Sequence, residues 1–152
     1  MKWVTWKNIG VDRMASAWLI RRWIDPQAEF FFIPMGEKSS SKDGEPFDIP
    51  GERYSHHGGH CTFYVLLYDN KISDPILSRI AQIVDEADEI QEVTIEPAAL
   101  GLDLICRGLR QISKDDFEAM EHGNLIYDAL YAQLKLDSPN ILESKILIAK
   151  SI

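Results

Sequence analysis

Basic charge is what this sequence has least of. Sixteen lysines and arginines stand against 24 aspartates and glutamates, for a formal net charge of −8 and a pI near 4.9. A surface that neutralises nucleic-acid phosphates needs a basic face, so a nucleic-acid partner is not expected. Cysteine is scarce as well. Two in 152 residues make no disulfide framework, and in a reducing compartment Cys61 and Cys106 read as free thiols or ligands. Long apolar runs are missing: no stretch approaches membrane-spanning length, and Met1-Lys2-Trp3-Val4-Thr5-Trp6-Lys7 lacks the apolar region and cleavage site of a secretory leader. The expected location is cytoplasmic, with no membrane partner. Internal repeats and low-complexity linkers are absent.

With 45% hydrophobic and 26% charged residues, the chain suits one soluble domain with a sizeable core. Lys2 to Trp6 is a short aromatic and β-branched strand, turned by Asn8-Ile9-Gly10. Asp12 then reads as the cap of a buried helix reaching Trp23 or Ile24, stopped by Asp25-Pro26. Ala28 to Pro34, with three consecutive phenylalanines, is the best strand and apolar enough to be central in a small sheet. Gly36 to Glu45 is a polar loop, and Pro46-Phe47-Asp48-Ile49-Pro50-Gly51 a turn-rich connection.

Further helices follow. One begins at Thr62 as its cap and ends by Asp69, and the next opens at Asp74-Pro75 with acids crowding its last turn. Another runs from Ala98 to about Arg110, and the last from Lys114, capped by Ser113, to about Leu136. The expected architecture is a single α/β domain of the α+β type over residues 1–137, predominantly helical, with about three strands from the N-terminal run, the Phe30 strand and the Tyr54 segment. Residues 138–152 read as an amphipathic helical tail that packs on the domain or pairs with a second copy as a homodimer.

The chemistry concentrates in Ser55-His56-His57-Gly58-Gly59-His60-Cys61-Thr62-Phe63, where three of the four histidines and one of the two cysteines fall within six residues. Two glycines make this a loop. A thiol just before a helix N-terminus feels amide donors and the dipole, which favour the thiolate, the form that binds metals. His56, His57, His60 and Cys61 are therefore candidate metal ligands, with Glu86 or Asp88 to complete an imidazole, thiolate and carboxylate set for zinc or iron. Arg21 and Arg22 sit in a last helical turn, where a cation suits the dipole. Arg13 sits in a first turn, where it does not, and so calls for a carboxylate partner or a bound anion.

Val11-Asp12-Arg13, the run Ala17-Trp18-Leu19-Ile20-Arg21-Arg22-Trp23-Ile24-Asp25-Pro26, Pro46-Phe47-Asp48-Ile49-Pro50-Gly51, Ser55-His56 and Cys61-Thr62-Phe63 resemble the C-terminal domain of the bacterial chromate-resistance protein ChrB. Asp74-Pro75, the Asp88 helix end and Tyr127-Asp128-Ala129-Leu130-Tyr131 extend the resemblance to about residue 135. It implies a role in chromate resistance or its sensing. Three readings meet there. The first is a sensing or accessory domain in which Arg13, Arg21 or Arg22 with protonated His56 holds a small oxyanion, or the loop holds a metal ion. The second is a metal-dependent enzyme, redox or hydrolytic. The third is a protein-interaction module without a small-molecule site.

Overall fold

The computed structural model describes residues 1–40 and 42–150, the side chains of 139–150 excepted. Over these residues it is a single α+β domain, 54% helical, with five helices and a three-stranded parallel sheet. Strand β1 (Lys2–Trp6) leads into helix α1 (Val11–Leu19), which a wider π-type stretch, Ile20–Ile24, continues. The chain returns as β2 (Glu29–Ile33), parallel to β1 in the register Lys2 with Glu29 and Trp6 with Ile33. Strand β3 (Glu45–Pro46) pairs on the other side of β1. The strand order β2-β1-β3 makes β1 central and the phenylalanine strand an edge, against the expectation from its apolar run. Of that run only Phe30 is fully buried, while Phe31 lies under the Lys2 ammonium and Phe32 packs edge-on against Phe117. The Tyr54 segment, expected as the third strand, makes only an isolated bridge to Phe47 outside the sheet, and β3 takes that place.

Four more helices follow: α2 (Thr62–Asp69), α3 (Pro75–Asp88), α4 (Ala98–Ile112) and α5 (Asp116–Lys150). Asp74 caps α3 by accepting the amides of Ile76 and Leu77, with Pro75 at the first position where its missing N–H costs nothing. The cap expected of Asp12 is made by Gly10, and the cap expected of Thr62 by Cys61. Ser113 ends α4 instead of starting α5. Helix α5 runs without a break through Asp137-Ser138-Pro139, and the expected packing of the tail against the domain or a second copy lies outside the described residues.

Helix α1 is the hub, packed on α2, α3, α4 and α5. Trp18 stacks near Phe63 and sits against Trp23, Tyr127 and Tyr131. The buried Tyr127 hydroxyl donates to the Val11 carbonyl at 2.7 Å, tying α5 to the start of α1. Gly123, where the apolar stripe of α5 is interrupted, lets the two helices close up: a Cβ there would come within 3.1 Å of Met14. The first turn of α1 is thereby fixed against the rest of the domain. No helix among the described residues is long and apolar enough to cross a membrane.

Candidate functional site

Asp12 is 2% exposed, and a buried carboxylate must be satisfied. Its Oδ1 accepts the Phe63 amide at 3.0 Å and its Oδ2 the Thr62 amide at 2.8 Å. An acid from α1 therefore sits on the positive end of α2. Asp85, buried in α3, does the same for the Cys61 amide at 2.7 Å. Between them these two carboxylates hold the start of α2.

Around Asp12 other groups converge. The Thr62 hydroxyl donates to Asp48 Oδ1 at 2.7 Å, and Arg13 Nε lies 3.0 Å from Asp48 Oδ2. Gly58 and Gly59, both at positive φ, fold His57 and His60 into a tight hairpin joined by two backbone hydrogen bonds. His56, at its entrance, projects its ring among carboxylates. Nε2 lies 3.0 Å from Asp12 Oδ2, 3.3 Å from Asp48 Oδ1 and 3.2 Å from Asp88 Oδ2, while Nδ1 meets Glu89 Oε1. Asp88 and Glu89 close α3, where acids oppose the dipole and a nearby cation relieves them. The group floors a cleft of about 560 Å³ that Arg13 and Arg110 also line.

One imidazole N–H serves one acceptor well, and here three carboxylates crowd it. The proton is held accordingly: hydrogen bonds to Asp12, then Asp48 and Asp88, raise His56 far above its ordinary 6.5. Asp12 rises to about 6, through burial first and then repulsion from Asp48, with the hydrogen bond from His56 pulling the other way. Ligand atoms of Asp12, Asp48 and His56 lie within 4.8 Å of one another, as do those of His56, Asp88 and Glu89. Donors bound about 2.1 Å from an ion at right angles sit about 3 Å apart, the spacing seen around Nε2. Glu89 on Nδ1 orients the ring as carboxylates orient metal-bound histidines.

The other candidates lie elsewhere. Cys61 is fully buried, and desolvation, with Asp12 and Asp85 close by, pushes its thiol well above the ordinary range, opposite to the dipole effect expected from sequence. His57 Nε2 donates to backbone carbonyls of its own loop, at 3.1 Å from Arg53 O. His60 is paired with Asp85 at 2.7 Å and stacked on Tyr64. Glu86 turns away to accept the Ile95 and Glu96 amides; burial works against its charge, yet hydrogen bonds from Gln82 and these amides hold its carboxyl below the ordinary value. Arg21 pairs with Glu121, and Arg22 forks onto Asp128, which also accepts from the Trp18 indole. The three arginines are thus not gathered: Arg13 alone of them lines the cleft.

Asp12, Asp48 and Glu89 were not singled out as ligands from sequence. Asp12 reads locally as a cap and Asp48 as a turn residue, and both roles are local patterns that do not reveal a shared cavity. The one usable signal was Arg13, a misplaced cation asking for a carboxylate, which Asp48 supplies.

Protein ChrB of Cupriavidus metallidurans is 31% identical over 131 residues, a stretch covering 86% of this chain and 40% of that protein. The chain spans about two fifths of that relative's length. No solved structure matches it. The family model described as ChrB, C-terminal domain, matches residues 3–134, and the chain belongs to that family.

Proposed function

We propose that the chain serves chromate resistance as a cation-binding domain, with one transition-metal ion held in the cleft by His56 Nε2 and the carboxylates of Asp12, Asp48 and Asp88. The observation that supports this reading is the approach of three carboxylate oxygens within 3.3 Å of a single ring nitrogen. A proton satisfies one of them, whereas an ion of charge two or more accepts all four donors together. Three oxygens and one imidazole, with no thiolate, suit iron, manganese or zinc better than a soft ion. A dianion such as chromate or sulfate would meet Asp12, Asp48 and Asp88 on the floor before it met Arg13, so the free oxyanion fits less well.

The test is metal analysis of the purified chain after loading with ferrous, manganous or zinc ion and desalting. About one ion per chain, lost in both His56→Ala and Asp88→Asn and kept in Cys61→Ser, supports the proposal. A chain that retains none of these ions but titrates with sulfate, more weakly as Arg13→Ala, supports the oxyanion reading instead.

A further inference from the structure

Thr62, fully buried at the first position of α2, holds two carboxylates at once. Its amide donates to Asp12 Oδ2 at 2.8 Å and its hydroxyl to Asp48 Oδ1 at 2.7 Å. These are the same two oxygens that stand 3.0 and 3.3 Å from His56 Nε2. Thr62 thus takes one lone-pair direction on each inner oxygen and leaves another free toward the ring nitrogen. Any residue supplies the amide at position 62, but reaching Asp48 takes the hydroxyl. The outer oxygens are tied as well: Asp12 Oδ1 accepts the Phe63 amide at 3.0 Å and the Ser16 hydroxyl at 3.3 Å, and Asp48 Oδ2 meets Arg13 Nε at 3.0 Å. Asp48 itself stands at φ 51°, a left-handed backbone that persists where the surroundings over-determine it. Its amide donates to the Tyr54 carbonyl at 2.7 Å, and its carbonyl accepts Arg13 Nη2 at 3.3 Å.

We propose that Thr62 is the positioning residue that decides which cations the cleft takes, its hydroxyl fixing Asp48 Oδ1 relative to Asp12 Oδ2 so that small divalent ions are favoured over calcium. This rests on the cation reading of the cleft. Manganous, ferrous and zinc ions bind donors at about 2.0–2.2 Å, whereas calcium takes about six to eight oxygens at roughly 2.3–2.6 Å in a flexible shell. A larger ion must push its donors apart. Two oxygens pinned by one buried residue resist that, and selectivity among such ions follows cavity size, ligand number and flexibility. Groups that hold ligands from behind change metal affinity by roughly 10- to 100-fold. Thr62 differs from Glu89, which orients the imidazole: it acts on the two acids, and through them on the room left between them.

Titration of the full chain with manganous ion, followed by displacement with calcium, tests the proposal. The first gives the manganous affinity, and the calcium-to-manganese ratio at half-displacement gives the preference between the two ions. Thr62→Val keeps the shape of the side chain and removes the hydroxyl. It is expected to weaken manganous binding at least about tenfold and to lower the ratio at half-displacement, with far-ultraviolet circular dichroism unchanged. Thr62→Ser, which keeps the hydroxyl, should restore both values toward those of the wild type. Thr62→Ala carries the same expectation as Thr62→Val and replaces it should that variant fail to fold. A folded hydroxyl-free variant with wild-type manganous affinity, or one with an unchanged ratio at half-displacement, overturns the proposal while leaving the cation reading intact. A wild type that binds no manganous ion overturns the cation reading itself.

Discussion

Asp12 Oδ2 lies 3.0 Å from Nε2 of His56 while the same carboxylate accepts the two amides that open α2. One residue thus joins α1, α2 and the histidine loop. Removing it should cost both stability and binding. Asp12→Ala leaves two buried amides without acceptors and is expected to destabilise the chain by about 2–4 kcal/mol, read as a lower urea midpoint. Asp12→Asn keeps one carbonyl acceptor and should cost about half as much.

The His56 proton sets a pH dependence. In the presence of a chelator, His56 keeps its proton in the folded chain beyond the ordinary 6.5 because of Asp12, Asp48 and Asp88. A raised folded value means that the stabilisation is whole below about pH 6.5 and is lost as pH rises beyond it. Asp12, raised to about 6, acts in the same direction between about pH 4 and 6. Thermal midpoints should therefore fall from about pH 6.5 to 8.5, and His56→Asn should flatten that slope.

Neither thiol should react in the folded state. Cys61 and Cys106 are buried, and burial raises both, Cys106 to about 11. A disulfide reagent such as Ellman's is expected to label none in native buffer and both in denaturant. Rapid labelling of one thiol in the native chain would show that Cys61 is available as a ligand.

The arginines should separate by role. Arg22→Ala removes a fork onto Asp128 that is partly exposed, so it should cost under about 1 kcal/mol and leave cation binding unchanged. Arg13→Ala frees Asp48 from its ion pair at 3.0 Å and should change cation affinity several-fold, measured by calorimetric titration.

The helices were legible because their periodicity, prolines and caps are local: Asp74-Pro75 opened α3 as read. The sheet order was less so. Phe30 to Phe32 look central by composition, yet β1 takes the centre because β3, two residues long, supplies the second neighbour. The residues of the candidate cleft were half legible. His56 and Asp88 stood out by type and position, whereas Asp12 and Asp48, 36 positions apart in sequence, meet only through the packing of α1 on α2. Cys61 shows the reverse, a residue whose local setting argues for a thiolate while its burial argues against one.

The most direct measurement is the low-temperature electron paramagnetic resonance of the full chain titrated with manganous ion. One ion per chain should bind with loss of the free aquo signal in the wild type and in Cys61→Ser, and the signal should stay free in His56→Ala and Asp88→Asn. A wild-type titration indistinguishable from that of His56→Ala would contradict the assignment of a cation to this cleft.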